Sequence, residues 1–215
     1  MKGASACHIC GRYAGFCDAV KLKARRPDHE VVHVAETDAS LWDSPLIITG
    51  LMGVAIGAFQ WSSSRWFVLT NYPARNDVLT VLDGTVLLTY IAAAAAVISV
   101  GVALPLALAV RITGQWNWQR LHQRSHALIP LAEIGVILGL SSMTGTQLRA
   151  DGFALGWIDP VRFWALASAV AGSVGLMWQI AGRSAGSLRR AIDPTTATTA
   201  MAAPLRAWWL LFWHW

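Results

Sequence analysis

The stretch GTVLLTYIAAAAAVISVGVALPLALAV, Gly84 to Val110, is 27 residues long and carries no charge. A bilayer's hydrocarbon core is about 30 Å thick, and a helix needs about 20 residues to cross it. Lipid offers a backbone no hydrogen-bond partner, so a run of this kind predicts a helix that satisfies itself. The same reading extends outward in both directions. Ser44 to Ser64 is uncharged, Phe163 to Gly182 is uncharged, and His126 to Leu148 is interrupted only by Glu133 and a Ser/Thr group. The chain closes on APLRAWWLLFWHW, apolar and aromatic but short. Spans are therefore expected at 44–64, 84–110, 126–148 and 161–182, with a marginal fifth at 203–215. The predicted fold class is an all-α integral membrane protein with four to five transmembrane helices. It divides into a polar segment, 1–43, and a transmembrane helical domain, 44–215.

Composition agrees. Of 215 residues, 55% are hydrophobic and 13% charged, and the mean hydropathy is +0.45. A soluble domain carries about a quarter charged residues. Glycine (18) and tryptophan (12) are both abundant, which suits close helix packing and rings at the lipid interface.

The cations sort by connection. Lys2, Arg12, Lys21, Lys23, Arg25 and Arg26 precede the first span; Arg111, Arg120 and Arg124 follow the second; Arg183, Arg189 and Arg190 follow the fourth. The other two connections hold Arg65 with Arg75 and Arg149 with Arg162, a split of twelve against four, with Arg206 at the start of the last span. Cytoplasmic loops carry the excess of Lys and Arg, so the N-terminus is expected in the cytoplasm. The net charge of +5 thereby acquires a topological meaning, and no nucleic-acid partner is called for. Met1 to Asp43 is polar and of mixed charge, without the apolar core of a signal peptide.

All three cysteines lie in CHICGRYAGFC, residues 7–17. Cys7, Cys10 and Cys17 occupy three places of a C-x-x-C-x-x-C-x-x-x-C run, with Tyr13 in the remaining one. Two-residue gaps wrap thiolates around an iron–sulfur core, and Gly11 and Gly15 give such a loop its freedom. On the reducing side of a membrane, thiols favour metal over disulfide. Two other readings stand beside this one. Cys7, Cys10, His29 and His33 form a C-x-x-C and H-x-x-x-H set that zinc accepts, although the 18 intervening residues exceed the usual finger spacing of about 12 to 15. The cysteines also read as ordinary reduced thiols.

ACHICGRYAGFCDAVKLKARRPDHEVVH, together with GLMGVAIGAFQWSSSRWF, HALIPLAEIGVILGLSSMTGTQLRADG and AWWLLFWHW, resembles bacterial membrane-bound 4Fe-4S binding proteins. These are polyferredoxins related to quinol-dehydrogenase-type iron–sulfur subunits. The resemblance covers the C-terminal half of such proteins, whose members carry further helices and cysteine pairs ahead of this motif. It implies a short cytoplasmic ferredoxin-like N-terminal loop and a 4Fe-4S cluster held by Cys7, Cys10 and Cys17. It also implies a multi-pass place in the bacterial inner membrane and a respiratory redox partner or quinone as the electron-transfer partner. The alternative is a non-catalytic scaffold or assembly subunit.

Within the membrane, Glu133 stands out. A charged carboxylate there costs about 2.5–3.5 kcal/mol on insertion scales, so it normally faces a cavity or a partner, or is carried neutral. His122 and His126 share a helical face at i, i+4, and Glu133 follows His126 by seven residues, about 10 Å along a helix. A proton or quinol relay of Glu133, His126 and His122 is one expectation. The other is a carboxylate paired with an arginine or hydroxyl for packing, beside two histidines at the interface. Gly53-x-x-x-Gly57 and Gly135-x-x-x-Gly139 predict close helix contacts. Trp116, Trp118, Trp157 and the closing tryptophans predict an aromatic belt.

Overall fold

The computed structural model describes residues 31–33, 35, 40–62, 64–70, 79–112, 116–182 and 195–213. These are helical almost throughout, and no strand occurs among them. Among the described residues, four helices are long and apolar enough to cross a membrane: α1 (Asp43–Trp61), α3 over Gly84–Ile112, α4 (Trp118–Arg149) and α5 over Ile158–Ile180. A short helix, α2 (Arg65–Thr70), follows α1, and α6 (Ala202–Trp213) closes the chain. The molecule is a multi-pass membrane protein of the all-α class.

Its apolar residues are arranged for lipid. Val100, Leu104, Leu108 and Ile112 recur at four-residue intervals along one face of α3, and all are exposed. In water such a stripe would mark an interaction site. In a bilayer it is the surface that meets acyl chains.

The start of α1 is fixed by Ser40 and Asp43. The Ser40 backbone N–H and its hydroxyl both donate to the Asp43 carboxylate, at 2.7 and 2.8 Å. Residues Leu46–Val54 of α1 form a π-helix. Across the seam with α3, a Cβ built on Gly53 would lie 2.9 Å from the Ala95 Cα, and one on Gly57 would lie 3.1 Å from the Ile91 Cα. Backbones approach this closely only where a side chain is missing. The Thr49 and Ser99 hydroxyls close the same seam at 2.9 Å.

The helix α3 runs from Leu79 to Ile112 through Pro105, a residue that transmembrane helices tolerate. The third span begins earlier than the expected residue 126. Asn117, extended at φ −149°, accepts a hydrogen bond from the Gln119 N–H and caps a helix at Trp118. The Arg- and His-rich connection ahead of the expected span is therefore helix from Trp118, and it continues through a 3₁₀ turn at His126–Leu128 into Ile129–Ala150. Gly152, at φ +88°, takes the left-handed conformation that ends this helix, and its N–H donates to the Arg149 carbonyl.

The marginal fifth span is a helix of 12 residues, about 18 Å long, and is not among the four long enough to cross. It lies in the bundle. Trp208 is fully buried, stacks on Phe212 with ring centroids 5.7 Å apart, and fills the slot left by Gly135. The expected belt position does not hold for this tryptophan, because a side-chain-free site on α4 gives its ring a better partner than the interface. The polar segment 1–43 also reaches the core: the helical residues Val32 and Ala35 are buried in the main apolar cluster. The CHICGRYAGFC motif and His29 lie outside the described residues.

Candidate functional site

A buried polar network joins the first residues of α1 to the first turns of α4. Asp43 and Ser44 come from α1; His122, Ser125 and His126 come from α4. Sequence spacing alone brings the two histidines together, since i and i+4 share a helical face. Tertiary packing adds Ser44, 78 and 81 residues away from its partners.

The hydrogens in this network can be assigned by elimination. The Ser125 hydroxyl donates to the His122 carbonyl at 2.7 Å. Its single hydrogen is thereby used, so across the 2.8 Å contact with Ser44 it accepts. Ser44 has then given its own hydrogen to Ser125, and at the 2.7 Å contact with His122 Nδ1 it accepts in turn. His122 Nδ1 therefore bears a hydrogen. A carbonyl only accepts, so His126 Nδ1, 2.9 Å from the same His122 oxygen, also bears one. His126 Nε2 faces the Asp43 carboxylate at 3.4 Å. A hydrogen held on either of these two groups completes the set.

Ser44 is the hub, 4% exposed. Its replacement by alanine removes the acceptor for His122 Nδ1 and the donor for Ser125 together. Leaving buried groups unmatched costs about 1–3 kcal/mol, so Ser44→Ala is expected to lower the thermal transition of purified protein. Ser168→Ala, at an exposed hydroxyl bonded only to its own helix, should leave that transition in place.

Glu133 is not part of this network. It lies on the exposed face of α4 and makes no hydrogen bond or ion pair among the described residues. Seven α-helical residues return nearly to the same face, but the 3₁₀ turn intervenes. Three residues at 3.0 per turn instead of 3.6 advance the chain by about 60°. Added to the shortfall of about 20° over seven α-helical residues, this leaves Glu133 about 40° round from His126, and the rise of about 10 Å along the axis is what separates it from the histidines.

At the far end of α4 a second polar group forms. Arg149 and the buried Arg162 both approach Asp159, at 3.6 and 3.7 Å, and Arg162 lies 5.4 Å over the Phe212 ring. It ties the α4–α5 turn to the C-terminal helix. Its burial is invisible in the sequence, where it reads as a loop cation.

Cys7, Cys10, Cys17, Tyr13 and His29 lie outside the described residues; His33 is described, exposed and helical. Among the described residues no group of three or more His, Cys, Asp or Glu side chains is placed to hold a metal ion. In comparison with known proteins, the chain matches no protein-family profile, no curated protein and no solved structure.

Proposed function

We propose that this protein is a membrane-embedded electron carrier. In this reading Cys7, Cys10 and Cys17 hold an iron–sulfur cluster at the cytoplasmic face of a bacterial inner membrane and exchange electrons with a respiratory redox partner or quinone. The observation that carries it is the cysteine register, three thiols spaced for a cluster, followed by a bundle with four helices of membrane-spanning length. Thiolates suit iron, and Tyr13 leaves one place for a ligand from another segment or another chain. A bound cluster supplies one-electron chemistry. The chain's own residues supply the rest. The excess of Lys and Arg holds the cysteine segment on the cytoplasmic side.

The test is anaerobic purification of the full chain, with iron and acid-labile sulfide assayed beside the electron paramagnetic spectrum of the reduced protein. Iron and sulfide in equal amounts are expected, and they should be lost together in Cys7→Ser/Cys10→Ser. Iron near zero in the unaltered protein sinks the electron-carrier reading, and zinc in its place that disappears in His29→Ala assigns the Cys7, Cys10, His29, His33 set.

A second reading, a non-catalytic scaffold or assembly subunit, is favoured by Glu133. A carboxyl turned outward from a membrane helix, with no partner in its own chain among the described residues, suits contact with another subunit. Unchanged respiration and protein level in Cys7→Ser/Cys10→Ser cells would favour this reading.

A further inference from the structure

Glu133 and Arg206 are both exposed, and among the described residues neither has a hydrogen-bond or ion-pair partner. Their depths follow from the contacts between helices. Ser44 meets His122 and Ser125, and a Cβ on Gly139 would meet the Phe59 ring, so α1 and α4 run parallel and in step. Glu133 lies six residues before Gly139, as Gly53 lies six before Phe59. Glu133 is therefore level with Gly53, which packs on Ala95 of α3. By the same count Gly135, the seat of Trp208, is level with the part of α3 between Ile91 and Ala95. Ala203 faces Gly101, where a Cβ would lie 2.8 Å from the alanine Cβ. Arg206 lies between Ala203 and Trp208, and so beside about residue 96 of α3.

That level is the middle of the membrane. The span Gly84–Ile112 is centred on Ile98, and Trp118–Arg149 is centred between Glu133 and Ile134. Both charges thus lie within about 5 Å of the midplane. They leave the bundle in opposite directions. Glu133 precedes Gly135 by two residues and Arg206 precedes Trp208 by two, a rotation of about 200° in each helix. Since α4 and α6 touch at Gly135 and Trp208, Glu133 points out of one side and Arg206 out of the other. No acidic residue lines the alanine-lined groove between Arg206 and α3, formed by Ala93 and Ala202, or the groove toward Val170 and Val174 of α5.

A guanidinium stays charged, and acyl chains at mid-depth give neither it nor a carboxylate a partner. Copies of a membrane protein that share one orientation differ by rotation about the membrane normal and by translation in its plane. Every residue keeps its depth from copy to copy. A charge in one copy can pair in another only with a charge at its own depth, and Glu133 and Arg206 meet that condition. We propose that this chain self-associates in the membrane head to tail, the Glu133 carboxylate of one copy accepting from the Arg206 guanidinium of the next. Such a contact leaves one Glu133 and one Arg206 open on a dimer, so association continues to a ring or a row. It holds in either reading of function, because the cysteines take no part in it and iron content does not enter its test.

The full chain is labelled at its C-terminus with a donor or an acceptor fluorophore, and the two populations are reconstituted together in phosphatidylcholine vesicles. Energy transfer is followed as lipid dilutes the protein. The unaltered chain should transfer above the level of chance encounter. Glu133→Leu and Arg206→Leu suit lipid and leave the contacts within the bundle in place. Each should weaken association about tenfold or more, the scale of one charge-assisted hydrogen bond. The charge reversals give the stricter arm. Glu133→Arg and Arg206→Glu each set like charges together and should stay apart when alone. Mixed, they restore an opposite pair at every contact and should associate. Transfer at the chance level in the unaltered chain overturns the proposal and leaves the two groups to a different subunit or to lipid. Association unchanged in both leucine variants overturns it too, as does a mixture of inserted reversals that stays apart. The leucine variants decide by themselves where a reversed charge prevents insertion.

Discussion

Gly53→Leu is expected to abolish recovery of folded protein, while Gly50→Leu, three residues away in the same helix, leaves recovery unchanged. The two glycines look alike in the sequence LIITGLMGV. In the bundle a Cβ on Gly53 would lie 2.9 Å from the Ala95 Cα and 3.0 Å from its carbonyl oxygen, whereas a Cβ on Gly50 would meet nothing within 4 Å among the described residues. Overpacking a well-filled core costs about 1–3 kcal/mol, and more when the obstacle is backbone. Ala95 offers no flexible side-chain end to move aside, so α1 and α3 must separate. Separation also breaks the Thr49–Ser99 contact. Size-exclusion profiles and thermal transitions of the two variants make the comparison. Equal behaviour would mean that this seam is not where the structure puts it.

The second large effect concerns Trp208. Trp208→Ala is expected to loosen the C-terminal helix from the bundle, and Trp208→Phe to be mild. In a water-soluble core a Trp→Ala truncation costs about 3–5 kcal/mol. Within a membrane the transfer part of that cost shrinks, because lipid is as apolar as the core, and lost packing remains. A loss on the order of 2 kcal/mol is expected on that basis. Phenylalanine keeps most of the ring contact with Phe212 and Phe59. It also removes a buried indole N–H that has no hydrogen-bond partner among the described residues, a group whose burial is unfavourable.

The partner site gives the stricter check. A Cβ on Gly135 would overlap the Trp208 ring, so Gly135→Ala is destabilising alone. In Gly135→Ala/Trp208→Ala the added methyl enters the space that the ring has left. The double variant should therefore be less damaged than the sum of the two single changes. Strict additivity in thermal transitions would separate Trp208 from Gly135.

Much of the polar network could not be read locally. His122 and His126 are legible as a pair because their spacing is a helical turn. Asp43 and Ser44 are not legible as their partners, since nothing near position 44 names residue 122. Arg124, 2% exposed, reads in the sequence only as one of the cations of a connection between spans. The start of α4 was hidden for the same reason: polar residues that end a membrane span by composition are here capped by Asn117 and continue the helix.

The four spans follow from the sequence by itself, because an uncharged run of membrane length permits the backbone only one structure. Which face of each helix meets lipid and which meets protein was decided by the tertiary structure. In a water-soluble protein the polar and apolar faces of a helix announce that choice. Here lipid is as apolar as the core, so Val100 and Val102 are the same residue type, yet one is exposed and the other fully buried. Only the packing distinguishes them. The same packing seats Trp208 on Gly135, turns Glu133 outward, and leaves the alanine-lined groove beside Arg206.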